Sequence, residues 1–172
     1  MTDSSLKESA GLATSERALL ARLTRSAIEK SFDPIRDVDW SVPFTDDWFY
    51  VPENMISLYG TETYQRLSPR GRRELSFHEA ASLFSVGIWF ENFLNHKFMK
   101  FLNKMDITDP KYQFMLYEVG DECRHMVMFT ELMQRSRMPF YRVAQPARFL
   151  AEVEKAIGSV ATAYVGVLTG EE

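Results

Sequence analysis

Apolar residues recur along most of this chain at three- and four-residue intervals, the spacing of one face of an α-helix. The stripe Leu19, Leu20, Leu23, Ala27 and Ile28 predicts a first helix, capped by Ser15 and running to about Phe32. Residues 1–13 ahead of it are polar and mixed in charge and read as a flexible tail. The period breaks over residues 33–52, where Pro34, Pro43 and Pro52 stand among aspartates and aromatics. That composition predicts an ordered loop wrapped over the core, with short helical turns after it at 53–59 and 62–67. Ser68-Pro69 is a helix start: a capping hydroxyl, then a proline where its missing N–H does no harm. The first turns after it, around Gly71, are expected to be irregular. Leu75 to Met105 should then be one long helix. Asp109-Pro110 repeats the start signal for a second long helix, ending near Arg137. Pro139 and Pro146 bracket a loop, and a last helix is expected from about Ala147 into the C-terminus. Two-residue alternation is missing throughout, so the class is all-α.

Two long helices joined by the turn Asp106-Ile107-Thr108-Asp109 should pair antiparallel. Phe84, Gly87, Ile88, Leu94, Phe98 and Leu102 form the seam of the first; Met115, Val119, Met126, Phe129 and Met133 form that of the second. Three ionisable residues interrupt these seams. Glu91 lies on the first, Glu122 and His125 on the second. Burying a carboxylate is costly unless it is paired, protonated or bound to a metal. Glu91 stands 16.5 positions before the centre of the turn at 107.5, and Glu122 stands 14.5 after it. Both therefore lie roughly 22–25 Å from the turn, at nearly one height. His125 is one turn from Glu122 on the same face.

Composition narrows the chemistry. The 172 residues suit one domain, here expected over 14–172, and 45% hydrophobic with 26% charged is ordinary globular usage. The net charge of -4 argues against a nucleic-acid binder, and no run is long or apolar enough for a spanning helix. One cysteine excludes an internal disulfide and suggests a reducing, cytoplasmic setting. Carboxylates with a Glu-x-x-His pair on facing helices form the ligand pattern of di-iron and di-manganese bundle proteins. Glu-x-x-His alone is a weak signal. Its match in height with Glu91, in a long proline-free hairpin, is the stronger one. The competing reading is a buried Glu–His pair without a metal. Among other polar residues, Glu118 and Asp121 are expected to face water, although either could support a ligand and Asp121 could pair with an arginine. His78 and His96 read as surface or cap residues. Cys123 and Arg124 point off the seam, Cys123 as a small buried residue.

At SFHEAASLFSVGIWFENFLNHKFM and GDECRHMVMF (residues 76–99 and 120–129) the chain resembles the AurF-type oxygenases, the ferritin-like family that includes p-aminobenzoate N-oxygenase. The resemblance implies a ferritin-like bundle with an O₂-activating di-iron centre. Iron would be the metal, with manganese as the substitute. It also implies a small aromatic or amine substrate and an external electron donor. Carried over by position, Glu91 and Glu122 are iron carboxylates and His125 an imidazole ligand. The family's site has a second half, a further Glu and a further Glu-x-x-His, yet no histidine follows His125 here. The last helix has a face through Leu150, Val153, Ile157, Ala161, Tyr164 and Leu168 that reaches Glu171 or Glu172; either could match the third carboxylate, with Glu171 the candidate, and the competing reading of the pair is a solvated C-terminus. The bundle is thus expected to lack its fourth ligand helix. Three explanations follow: the N-terminal part of a longer oxygenase, a homodimer that completes the site, or a metal-free helical interaction protein that keeps half of an ancestral centre. Nothing suggests the cage-forming surface of an iron store.

Overall fold

In a computed structural model of the chain, the backbone is described for residues 3–157 and the side chains for residues 14–149 and 151–153. Five helices and no strand occur among the described residues, an all-α arrangement of the ferritin-like kind. They are α1 (Asp3–Glu29), α2 (Glu62–Gln65), α3 (Pro69–Leu102), α4 (Pro110–Ser136) and α5 (Gln145–Ile157), with a 3₁₀ turn at Glu53–Met55.

The starts of α3 and α4 follow the expected capping chemistry. Ser68 Oγ accepts from the Gly71 N–H at 3.1 Å, and Pro69 opens the helix. Asp109 Oδ1 accepts from the Lys111 N–H at 2.9 Å, ahead of Pro110. With the cap in place α3 is helical from its first turn, so the irregular opening expected near Gly71 does not occur. The end of α4 is a Schellman closure: Met138 N–H donates to Met133 C=O at 2.9 Å and Arg137 N–H to Gln134 C=O at 3.3 Å. Arg137 occupies the left-handed position at φ 57°, where glycine is the usual residue. The boundaries of α1 differ from expectation. It begins at Asp3, twelve residues before Ser15, and stops at Glu29 rather than Phe32. No proline interrupts that N-terminal run, and Ser15 is an exposed position inside the helix.

α3 and α4 form an antiparallel hairpin, α1 packs on α4, and α5 touches α3. The hairpin core is split in two. Toward the turn, Leu94, Phe98 and Leu102 of α3 bury against Met115 of α4. At the far end, Ala80, Ala81, Met133 and Met138 join Val51, Ile56 and Tyr64 from the segment before α3. Two buried serines of α3 hold the loops onto this second core. Ser76 Oγ accepts from the N–H groups of Tyr50 (2.7 Å) and Val51 (3.0 Å). Ser85 Oγ accepts from the Tyr141 N–H at 3.0 Å. The loop 33–52 is therefore ordered over the core as expected, by hydrogen bonds its own sequence does not announce. The last-helix face beyond Ile157, with Glu171 and Glu172, lies outside the described residues.

Candidate metal centre

Between the two core clusters, α3 and α4 face each other across Glu91, Glu122 and His125. One ligand-capable atom from each of the three lies within 4.8 Å of the other two, the group with metal-binding potential among the described residues. His125 Nδ1 is 3.0 Å from Glu122 Oε2 and 3.6 Å from Glu91 Oε1. The i, i+3 spacing on α4 makes the first contact, and the antiparallel register with α3 makes the second. Both carboxylates are largely buried, while the imidazole keeps an open edge. Phe32 and Phe129 flank the imidazole with ring centroids 6.3 and 6.4 Å away, the latter nearly parallel to it. Behind Phe129 stands Gly87 of α3. A Cβ on Gly87 would lie 3.2 Å from Phe129 Cε2, so glycine is what lets this ring, and with it α4, come close.

The electrostatics are those of a charge cluster lacking one partner. The hydrogen bond to Glu122, then the nearby Glu91 carboxylate, pushes the His125 pKa up to about 10. Burial raises the Glu122 carboxyl above its ordinary range; the His125 contact opposes this, and the neighbouring Glu91 carboxylate reinforces it. Glu91 Oε2 is buried and has no hydrogen-bond partner. A buried, unsatisfied carboxylate oxygen is costly in itself. Beside a second carboxylate and an imidazole it fits a hard divalent cation, since oxygen donors with one imidazole suit iron or manganese. Three side-chain donors are a set for one ion, and fall short of the set for two.

Compared with known proteins, residues 13–172 match the family described as p-aminobenzoate N-oxygenase AurF. The chain belongs to the AurF family. This is a di-iron family. The chain is also 27% identical over 162 residues to uncharacterized proteins of Mycobacterium tuberculosis (Rv0885) and Mycobacterium bovis (Mb0909). The match covers 90% of this chain and 47% of each relative, so the chain spans about half the length of the curated relatives it matches. No solved structure is significantly similar to it. Among the described residues, no helix is long and apolar enough to cross a membrane.

The remaining candidates of this AurF-family chain fall as follows. His78 and His96 are exposed, and His78 Nδ1 meets Tyr141 Oη at 2.6 Å. Asp121 pairs with Arg124 one turn on, so the arginine alternative applies. Glu118 is half-buried rather than open to water. Burial, then Asp121 and Glu122, raises its carboxyl above the usual range. Cys123 corrects an expectation: it is exposed, not buried. Its position one residue past Glu122 turns it off the seam, where Asn95 Nδ2 donates to its Sγ at 3.8 Å. Phe32, Phe129 and Gly87 were not identifiable as supports of the imidazole from the chain alone. Gly87 in the middle of a long seam was the available signal, since an interior helix glycine usually has a packing reason.

Proposed function

We propose that Glu91, Glu122 and His125 bind iron, with manganese as the substitute, as one half of the centre of an O₂-dependent oxygenase acting on a small aromatic or amine substrate. The observation that carries this reading is the buried, unpartnered Glu91 Oε2 beside Glu122 and His125. Membership of the AurF family supports it. Bound iron would supply the redox chemistry with O₂ that side chains lack. The protein's part is placement. Two carboxylates offset the charge of one divalent cation. Phe32 and Phe129 pack beside the imidazole, and the apolar clusters on either side shield the two carboxylates from bulk water. Glu171 is the chain's own candidate for a further ligand. A second copy of the chain is the proposed source of the other half-site, a reducing cytoplasm the proposed setting, and an external donor the source of electrons.

The test is metal analysis of the purified chain after anaerobic loading with Fe(II) and, separately, Mn(II). Retention of iron near one equivalent per chain is expected, with affinity falling at least about tenfold in Glu91→Ala and His125→Ala. If neither metal is retained by the folded chain, the reading is wrong. A second reading has its own support. The 3.0 Å contact between His125 and Glu122 satisfies the imidazole without a metal, as in a helical interaction protein with a structural Glu–His pair. Under that reading both variants lose stability and the parent binds no iron.

A further inference from the structure

A second site lies at the other end of the hairpin. His78, on the rim of a cavity of about 640 Å³, precedes Glu91 on α3 by thirteen residues, which is roughly 20 Å along the helix. The cavity is bounded by the loop 33–52, the start of α3 and the end of α4. Four guanidinium groups line it, from Arg70, Arg73, Arg135 and Arg137, against the two carboxylates of Asp46 and Glu74. The lining is thus positive in a chain whose net charge is -4.

Two of these arginines are tethered. Arg73 Nε donates to the Asp46 carbonyl at 3.2 Å, and its guanidinium pairs with Asp47 at 3.7 Å. The Arg135 guanidinium lies 5.3 Å from the centre of the Trp40 ring and pairs with Glu131. Arg70 and Arg137 have no side-chain hydrogen bond or ion pair among the described residues. Arg137 is also the one non-glycine residue with positive φ there. A side chain in that conformation is strained relative to glycine, and here it belongs to an arginine that lines the cavity. The lining is also aromatic. Trp48 and Tyr50 stand 6.3 Å apart, with Phe44 stacked 6.4 Å from Tyr50 and Trp48 partly open to solvent.

We propose that this cavity binds a nucleotide, its phosphates on the Arg70 and Arg137 guanidinium groups and its ring against Trp48. Guanidinium forks match phosphate oxygens in pairs, and two untethered ones suit a chain of phosphates better than a single carboxylate. Aromatic faces bind the planar ring of any base. The volume is that of a small-molecule site. The inference is independent of the metal reading, because none of its residues belongs to the Glu91 cluster.

The test is titration of the full chain with ADP, free of magnesium, at low salt, read by calorimetry and by quenching of tryptophan fluorescence. Saturable binding near one per chain is expected. Arg70→Ala combined with Arg137→Gly, which keeps the left-handed turn, should weaken it by at least about tenfold. Removing the exposed charges of Arg22 and Lys104 should change it by less than about twofold. Trp48→Leu should weaken ADP and leave inorganic pyrophosphate unchanged. Loss of Glu91 and His125 should leave ADP binding intact. No saturation at millimolar ADP, or no effect of the double arginine change in a chain that circular dichroism shows folded, overturns the proposal. Pyrophosphate binding as tightly as ADP overturns the ring contact, and benzoate binding more tightly than ADP overturns the phosphate assignment.

Discussion

His125 carries the proton that sets the charge of the Glu91–Glu122 cluster in the metal-free chain. Its carboxylate neighbours raise its pKa from the ordinary 6.5 to about 10. A base with a raised folded-state pKa contributes stability that is complete below about 6.5 and lost as pH rises through about 10. The gap in urea midpoint between the parent and His125→Gln, both metal-free, should therefore be wide at pH 6 and nearly closed at pH 10.5. A constant gap would mean that His125 is neutral throughout. Glu118 differs in its consequence. Burial raises its acid pKa, so the protonated form favours the fold below about 4.5, and the ionised form costs stability above that. Glu118→Gln should raise the urea midpoint at pH 7 and leave it unchanged at pH 4. A fall at pH 7 would show that the charge is usefully paired. At this scale the three clustered residues were legible because helix spacing and distance from a turn are arithmetic. The exposure of Cys123 and the half-burial of Glu118 were not. One residue's step around a helix is about 100°, and which neighbour covers that sector depends on α1 and the loops.

Among the elements, the approach of α3 to α4 turns on Gly87 and Phe129. Gly87→Leu would overfill that contact, at a cost of about 1–3 kcal/mol. It should also move the ring that backs His125. Denaturant unfolding measures the first effect; metal affinity reads the second, and unchanged values of both would show that the helices have room to spare. The loops depend on α3 in a different way. Ser76 takes two backbone N–H groups of the loop before α2. Ser76→Ala leaves those donors without their partner and should cost about 1–3 kcal/mol, with the loss visible in chemical denaturation. No measurable loss would mean that water replaces the hydroxyl. Long helices were legible from periodicity and from the Ser-Pro and Asp-Pro starts. The serine clamps were not, because a serine within an apolar stripe carries no mark of the backbone it will meet 25 or 56 residues away. The start of α1 was misplaced for a related reason: Ser15 has the chemistry of a cap, but a capping residue caps only where the chain ahead of it leaves the helix.

For the molecule as a whole, the polar cluster divides the interior of the hairpin, and apolar surface remains outside it. Leu83 and Val86 on α3, and Leu116 and Val127 on α4, are all more than a third exposed. Single exposed apolar side chains are ordinary, but four of them on the two helices that hold the candidate centre favour association. Sedimentation at rising protein concentration should show reversible self-association, weakened by Leu83→Glu with Val86→Glu. A monomer at all concentrations would count against a paired centre. The hairpin geometry also dictates which changes in length the chain can absorb. Residues 103–108 can gain or lose positions with less effect on the register of Glu91 against Glu122, because they join the two helices ahead of the Asp109 cap. An insertion of one residue between Glu91 and Leu102 turns Glu91 by about 100° away from α4 and shifts it by about 1.5 Å. Drift among sequences with this centre should therefore leave the spacing inside each helix fixed, and collect its insertions and deletions at the turn.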